Sequence, residues 1–325
     1  MKKIYVWHSE KAVKDYVSDV AGVVTFLHLS KNPCNAKIAS YTSKEFGRLE
    51  KELNDECEKL HKFLTNVQSK LRDNLVKGVK EAEKHCLTNG RKVLEPKKKC
   101  YRGFHKTLKA LCKYNGYFRC GNGDVFDLNY TLAEPMYANM NDVFLQTFSP
   151  GSSRQSIYGK LGSFQESFIA PWDLDACKKE PEKYLRKVYI KTKQRKLLSS
   201  MEKEIVQRKK SIHDSLSKSV QATMMTAFRD FSGTGTYTLA NIQDTLKEKI
   251  QSSKNTIFQQ AMNEMLRQFE DLKTWTVKEL ETQMTAHMRV ALGQIPDDFI
   301  NLPDVDEELQ NMKSWCEVLD LRIFM

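Results

Sequence analysis

A chain of 325 residues with 40% hydrophobic and 29% charged residues can bury a sizeable core, as one elongated unit or two domains, and is not a disordered polyanion or polycation. Only 14 Gly and 8 Pro interrupt it, so long unbroken elements are expected. The formal charge of +11 points toward phosphates, nucleic acid or anionic lipid as possible partners, and the longest apolar stretch, residues 20–29, is far too short for the ~20 residues that span a bilayer.

Taken in chain order, residues 9–29 read as a short helix with Val13, Val17, Val20, Val24 and Leu27 on its apolar face, followed by a turn at Asn32-Pro33. The capping-box pattern Thr42-Ser43-Lys44-Glu45 then predicts Thr42 as the N-cap of a long helix. Its stripe is Phe46, Leu49, Leu53, Cys57, Leu60, Leu64, Val67, Leu71, Leu75, Val79, Ala82 and Cys86, in steps of three or four throughout. That spacing puts every one of them on one helical face. A helix over 43–89 would be roughly 70 Å long, with Asn89-Gly90 as its C-cap. Pro96 follows, and a second, shorter helix is predicted over 97–119 with Phe104, Leu108, Leu111 and Cys112 inward. Residues 121–182 hold four prolines and read as an irregular, net acidic junction with short helices around 132–148 and 152–169.

Pro181 suits the first turn of the next long helix, whose stripe includes Leu198, Met201, Ile205, Ile212, Leu216, Val220 and Met224. The third stripe starts after Thr238 with Leu239, Ile242, Leu246 and Ile250 and continues through Met265, Phe269 and Met288. The two helices, joined by a short loop at 232–235, should form an antiparallel hairpin. A final helix is expected after Pro303, with Asp304 as its cap and acids in its first turn. No period-2 strand pattern stands out. The expected fold is all-α: an elongated bundle of long antiparallel helices with an irregular central junction. Its segments are 1–40, 41–120 (long helix plus basic helix), 121–182 (junction) and 183–325 (helical hairpin plus acidic helix).

Chemistry is harder to find. A nucleoside-triphosphate site needs glycines that let backbone amides approach phosphate, then Lys and Ser or Thr. No such string exists, and Gly233-Thr234-Gly235 is a turn after a helix. Eight cysteines form no C-x-x-C pair. Cys57 and His61, or Cys100, His105, Cys112 and Cys120, lack the paired short spacings of a zinc site. No catalytic, metal-binding or cofactor-binding residue is therefore predicted. Scattered cysteines on apolar stripes, without a signal peptide, suggest a reducing intracellular compartment.

The basic segments are the clearest functional signal. Residues 91–119 carry ten basic residues against one acid, and 183–213 carry eleven against two, whereas 294–325 hold eight acids against two bases. Pro96-Lys97-Lys98-Lys99 resembles the core of a nuclear-localisation signal. Lys191, Lys193, Arg195 and Lys196, with Arg208, Lys209 and Lys210, lie along one predicted helix that could track a phosphate backbone. Aromatic interleaving there is limited to Tyr184 and Tyr189, which speaks against a single-strand stacking platform. The same residues on a membrane-surface scaffold would lack a Trp- and Phe-rich insertion face.

Several strings carry a family resemblance. They are the run from Gly103 to Gly116 (GFHKTLKALCKYNG), the run from Asp127 to Tyr137 (DLNYTLAEPMY), Phe144-Leu-Gln-Thr-Phe148, and Ser156-Ile-Tyr-Gly-Lys-Leu-Gly-Ser-Phe164. Together they resemble the helical region of dynamin-like large GTPases of the nuclear kind, from about residue 41 onward. The resemblance implies a stalk-type bundle that self-associates, transmits nucleotide-driven motion and works with a GTPase domain in cis or trans in the nucleus. The family's GTP-site motifs have no counterpart in this sequence. GTP and Mg would be bound only through a GTPase domain, and this chain alone would not be an enzyme.

Overall fold

The computed structural model describes seven positions between 13 and 28 and then residues 36–96, 103–151, 153–168, 181–233, 237–292 and 305–318. Three long helices dominate: α1 (Ala36–Leu94) and, after the shorter elements named below, α5 (Pro181–Asp230) and α6 (Leu239–Ala291). With 59, 50 and 53 residues they run about 75–90 Å at ~1.5 Å per residue. Between α1 and α5 come α2 (Phe104–Lys113), strands β1 (Tyr117–Arg119) and β2 (Val125–Asp127), α3 (Leu128–Thr147) and α4 (Ile157–Ser167); α7 (Asp306–Val318) ends the described chain.

The stripes explain the packing. From Leu49 to Cys86 every α1 stripe residue is buried, with Phe46 packed at its end. The corresponding α5 and α6 residues, Ile205, Leu216, Val220, Met224, Leu246, Ile257, Met265 and Phe269 among them, are sealed in the same continuous core. Helix α6 lies between α1 and α5 and packs on both. The fourth position of the bundle is filled by α3, which packs on α1 and α5, with α2 on α5 and α6 and α4 on α5 and α1. The fold is thus an all-helical bundle, with three continuous helices and a fourth side built from short pieces.

Close approach has a local cause. At Gly78 a Cβ would meet Met136 Cα at 2.7 Å and the Pro135 carbonyl oxygen at 3.0 Å, so glycine lets the backbones of α1 and α3 touch. Gly90 faces α6 less tightly, a Cβ there meeting the terminal Ile250 Cδ1 methyl at 3.0 Å. The expected C-cap at Asn89-Gly90 is therefore not one. Helix α1 runs on to Leu94 because burying this face outweighs the tendency of Asn-Gly to terminate. Thr42 is likewise not an N-cap. The helix already begins at Ala36, so the amides that Thr42 would have capped find helical carbonyls one turn earlier. Thr238 does cap α6, its side chain accepting from the Asn241 amide at 3.2 Å.

The second predicted helix is shorter than 97–119. Helix α2 ends in a Schellman motif, with Asn115 donating to the Cys112 carbonyl at 3.0 Å and Gly116 to that of Leu111 at 2.8 Å. Asn115 (φ 55°) and Gly116 (φ 91°) supply the left-handed turn, and the chain then enters an antiparallel hairpin absent from the sequence expectation. Three-residue strands are too short to show a period of two. Phe118 faces Phe126 across the hairpin, and Phe126 reaches Phe104 of α2 at 6.0 Å between ring centroids. Asp127 closes the hairpin and caps α3, accepting from the Tyr130 amide at 2.8 Å. Within 121–182, helices α3 and α4 match the two short helices expected there, α3 beginning earlier, at Leu128.

The described positions between 13 and 28 are helical. Val24, with Val20 and Leu27, meets Val305 just before α7 and Leu309 and Met312 within it in a small separate cluster, and His28 Nδ1 lies 2.7 Å from Asp306 Oδ1. Acids fill the first turn of α7, as its dipole favours. Asp304, the expected cap, lies outside the described residues. Among the described residues no helix is long and apolar enough to cross a membrane.

Candidate anion-binding surface

The basic residues of α5 do not form one free face. Thr192 and Gln194, inside the run from Lys191 to Lys196, are buried, so the run wraps from core to solvent. Lys191 Nζ donates to the Gln165 carbonyl at 2.6 Å and ties α5 to α4. Burial, then the neighbouring Arg195, hold the Lys191 pKa below its usual range. Lys193 lies 5.4 Å over the ring of Tyr189, itself buried. Arg195 and Lys196 are exposed.

About three turns on, Arg208 bonds Glu204 at 2.8 Å and stacks its guanidinium 4.6 Å over Trp275 of α6. Lys209 packs over Phe148 at 5.8 Å, and Lys210 is exposed. A groove of about 680 Å³ runs beside this stretch, with Phe148, Tyr158, Glu202, Lys203 and Val206 in its lining. Of the predicted anion-binding side chains on α5, Lys191, Lys193, Arg208 and Lys209 are thus engaged inside the fold, and Arg195, Lys196 and Lys210 face solvent. Lys97, Lys98 and Lys99 lie outside the described residues.

The cysteines behave as small apolar groups. Burial pushes the thiols of Cys57 and Cys112 up to about 12, with Glu281 and Glu56 adding to the rise at Cys57. Such thiols stay protonated and are poor metal ligands or nucleophiles at neutral pH. His105, near Cys112 in sequence, spends its Nε2 on the Tyr237 carbonyl at 2.6 Å. Among the described residues no three His, Cys, Asp or Glu side chains are grouped to hold a metal ion.

The sequence expectation looked for aromatic residues beside the α5 cations. The structure puts exposed rings elsewhere, at the end of the bundle built by α2 and the hairpin. Tyr114 is 54% exposed, Tyr117 47% and Tyr130 45%. The signal was present in the ten basic residues of 91–119, a segment that also holds Tyr114 and Tyr117. What hid it was the turn that gathers these residues, which no periodicity announces.

Neither a family model nor a solved structure matches this chain. Two curated relatives do. The chain is similar to the human nuclear GTPase SLIP-GC, 24% identical over 331 aligned residues that cover 96% of this chain and 39% of the relative. It is also similar to nuclear GTPase SLIP-GC of mouse, 22% identical over 319 residues, 93% of this chain and 38% of the relative. The homology is weak, but it runs along nearly the whole chain. The chain spans about two-fifths of the length of these relatives.

Proposed function

We propose that this chain is the helical, non-catalytic region of a SLIP-GC-like GTPase system of dynamin type, a stalk or effector that couples nucleotide-driven movement to self-association in the nucleus. The observation that carries this reading is an asymmetry: the match covers 96% of this chain but 39% of a protein named a GTPase, while the sequence holds no phosphate-binding loop. GTP and Mg would then be handled by a GTPase domain that this sequence does not supply.

The architecture supports a mechanical role. Three helices about 75–90 Å long share one continuous core, so movement imposed at one end is carried along packed helices that resist bending. The apolar stripes are consumed inside the bundle, so self-association would have to use the remaining surface. The test has two parts. The purified chain with GTP and Mg should release no phosphate above a buffer control; Mg-dependent turnover would overturn the reading. Adding the chain in trans to the GTPase-containing portion of the human relative should change that portion's turnover, and sedimentation velocity should show assembly beyond a monomer.

A further inference from the structure

We infer that the end of the bundle formed by α2 and the β-hairpin is a binding surface for single-stranded nucleic acid, using Tyr114, Tyr117 and Tyr130 as stacking rings and Lys106, Lys113 and Arg119 as phosphate contacts. This inference is independent of the GTPase reading. It also departs from the α5 lysines and arginines, which the fold largely engages.

Turn chemistry joins the segments that carry the rings. Tyr114 ends α2, and the Schellman turn brings the chain round so that the Tyr117 amide donates to the Tyr114 carbonyl at 3.3 Å. Tyr117 pairs across the hairpin with Asp127, whose carboxylate receives the Tyr130 amide at 2.8 Å. Backbone hydrogen bonds thus join the three segments that carry these tyrosines. Two are braced by other rings: Tyr114 stacks on Phe118 at 6.0 Å with an interplanar angle of 8°, and Tyr130 on buried Tyr137 at 4.9 Å. Bracing lowers the entropy lost when a base stacks on them. The outer sides of these rings stay open: all three are about half exposed, as is Val125 of the same hairpin.

The charge fits a polyanion. Lys106, Lys113 and Arg119 are exposed and form no ion pair among the described residues. Lys113 Nζ lies 5.7 Å over the Tyr114 ring, so cation and stacking ring are neighbours. The acids of the hairpin are occupied locally: Asp127 caps α3, and the Asp124 carboxylate takes the Asn122 amide at 3.0 Å within the turn. Rings for base faces and cations for the backbone, without a fixed donor–acceptor pattern, suit single strands of mixed sequence better than a duplex.

The experiment is fluorescence anisotropy of the full chain with labelled oligo-dT and oligo-U across a salt series, alongside a duplex of the same length. Single strands should bind more tightly than the duplex. The double variant Tyr114→Ala/Tyr117→Ala should weaken binding about tenfold or more with the salt slope unchanged. The triple variant K106E/K113E/R119E should also weaken binding and lower the log–log salt slope by about 2. Circular dichroism and melting temperature check that these surface variants stay folded; a Tyr114→Phe/Tyr117→Phe variant, which keeps the rings, should bind like the parent. The inference is overturned by no single-strand binding at low salt. It is equally overturned if reversal of Arg195, Lys196 and Lys210 abolishes binding while the hairpin variants retain it, or if the chain binds phosphatidylserine vesicles and not the oligonucleotides.

Discussion

The three long helices and the fourth side of the bundle solve the same problem in different ways. Helices α1, α5 and α6 bury continuous stripes by length alone, and each needs only its own i, i+3, i+4 pattern to do so. The fourth side is assembled from α2, a hairpin of two three-residue strands, α3 and α4, joined by caps and turns with specific hydrogen bonds. The long helices supply stiffness, and the composite side supplies the irregular surface where rings and cations collect. Shape is carried by periodicity here, and recognition by punctuation.

That contrast can be broken at its seam. Phe269 of α6 is fully buried and meets Phe148, at the end of α3, edge-on at 6.4 Å. Phe269→Ala should cost about 3–5 kcal/mol, read as a lower denaturation midpoint. Phe104→Ala, on the composite side, should cost toward the lower end of that range, and its hairpin amides should lose hydrogen-exchange protection before the long helices do.

Glycines give the next test, because propensity and packing oppose each other. Gly78→Ala would gain up to about 1 kcal/mol of helix propensity but drives a Cβ to 2.7 Å from the α3 backbone, so a net loss of about 1–3 kcal/mol is expected. Gly47→Ala, on the same helix with open space around it, should instead stabilise by about 0.5–1 kcal/mol. Equal effects at the two sites would refute the close contact between α1 and α3. Thr238→Ala, which removes the cap of α6, should cost about 1 kcal/mol.

The smallest effect is electrostatic. Hydrogen bonds from Arg267 and then Gln268 hold the Glu264 carboxyl down to about 2. A carboxyl whose folded pKa lies below its unfolded value of about 4.3 stabilises above that value and loses its contribution as pH falls toward 2. The pair is substantially exposed, so Glu264→Gln should cost only a few tenths of a kcal/mol at pH 7 and nothing near pH 2. Melting temperatures at the two pH values check the sign.

Much of the fold was legible in the residues. The stripes of α1, α5 and α6 predicted both the helices and their buried faces, and the start of α6 just after Thr238. Thr42 and Asn89-Gly90 misled, because a capping pattern has force only where backbone groups would otherwise be orphaned, and a long helix passing through leaves none. The surface was less legible. Lys191, Arg208 and Lys209 read as free cations, yet they reach a carbonyl of α4, a ring of α6 and the end of α3.

By itself the sequence determined the helical class, the three long elements, their inward faces and the lack of a phosphate-binding loop, since each depends on neighbours within a few residues. Only the tertiary structure decided which helix packs on which, why Gly78 is glycine, which cations are engaged and which rings stay exposed. Those outcomes depend on contacts between residues far apart in the chain, such as Gly78 with Met136 or Arg208 with Trp275, and no local pattern encodes them.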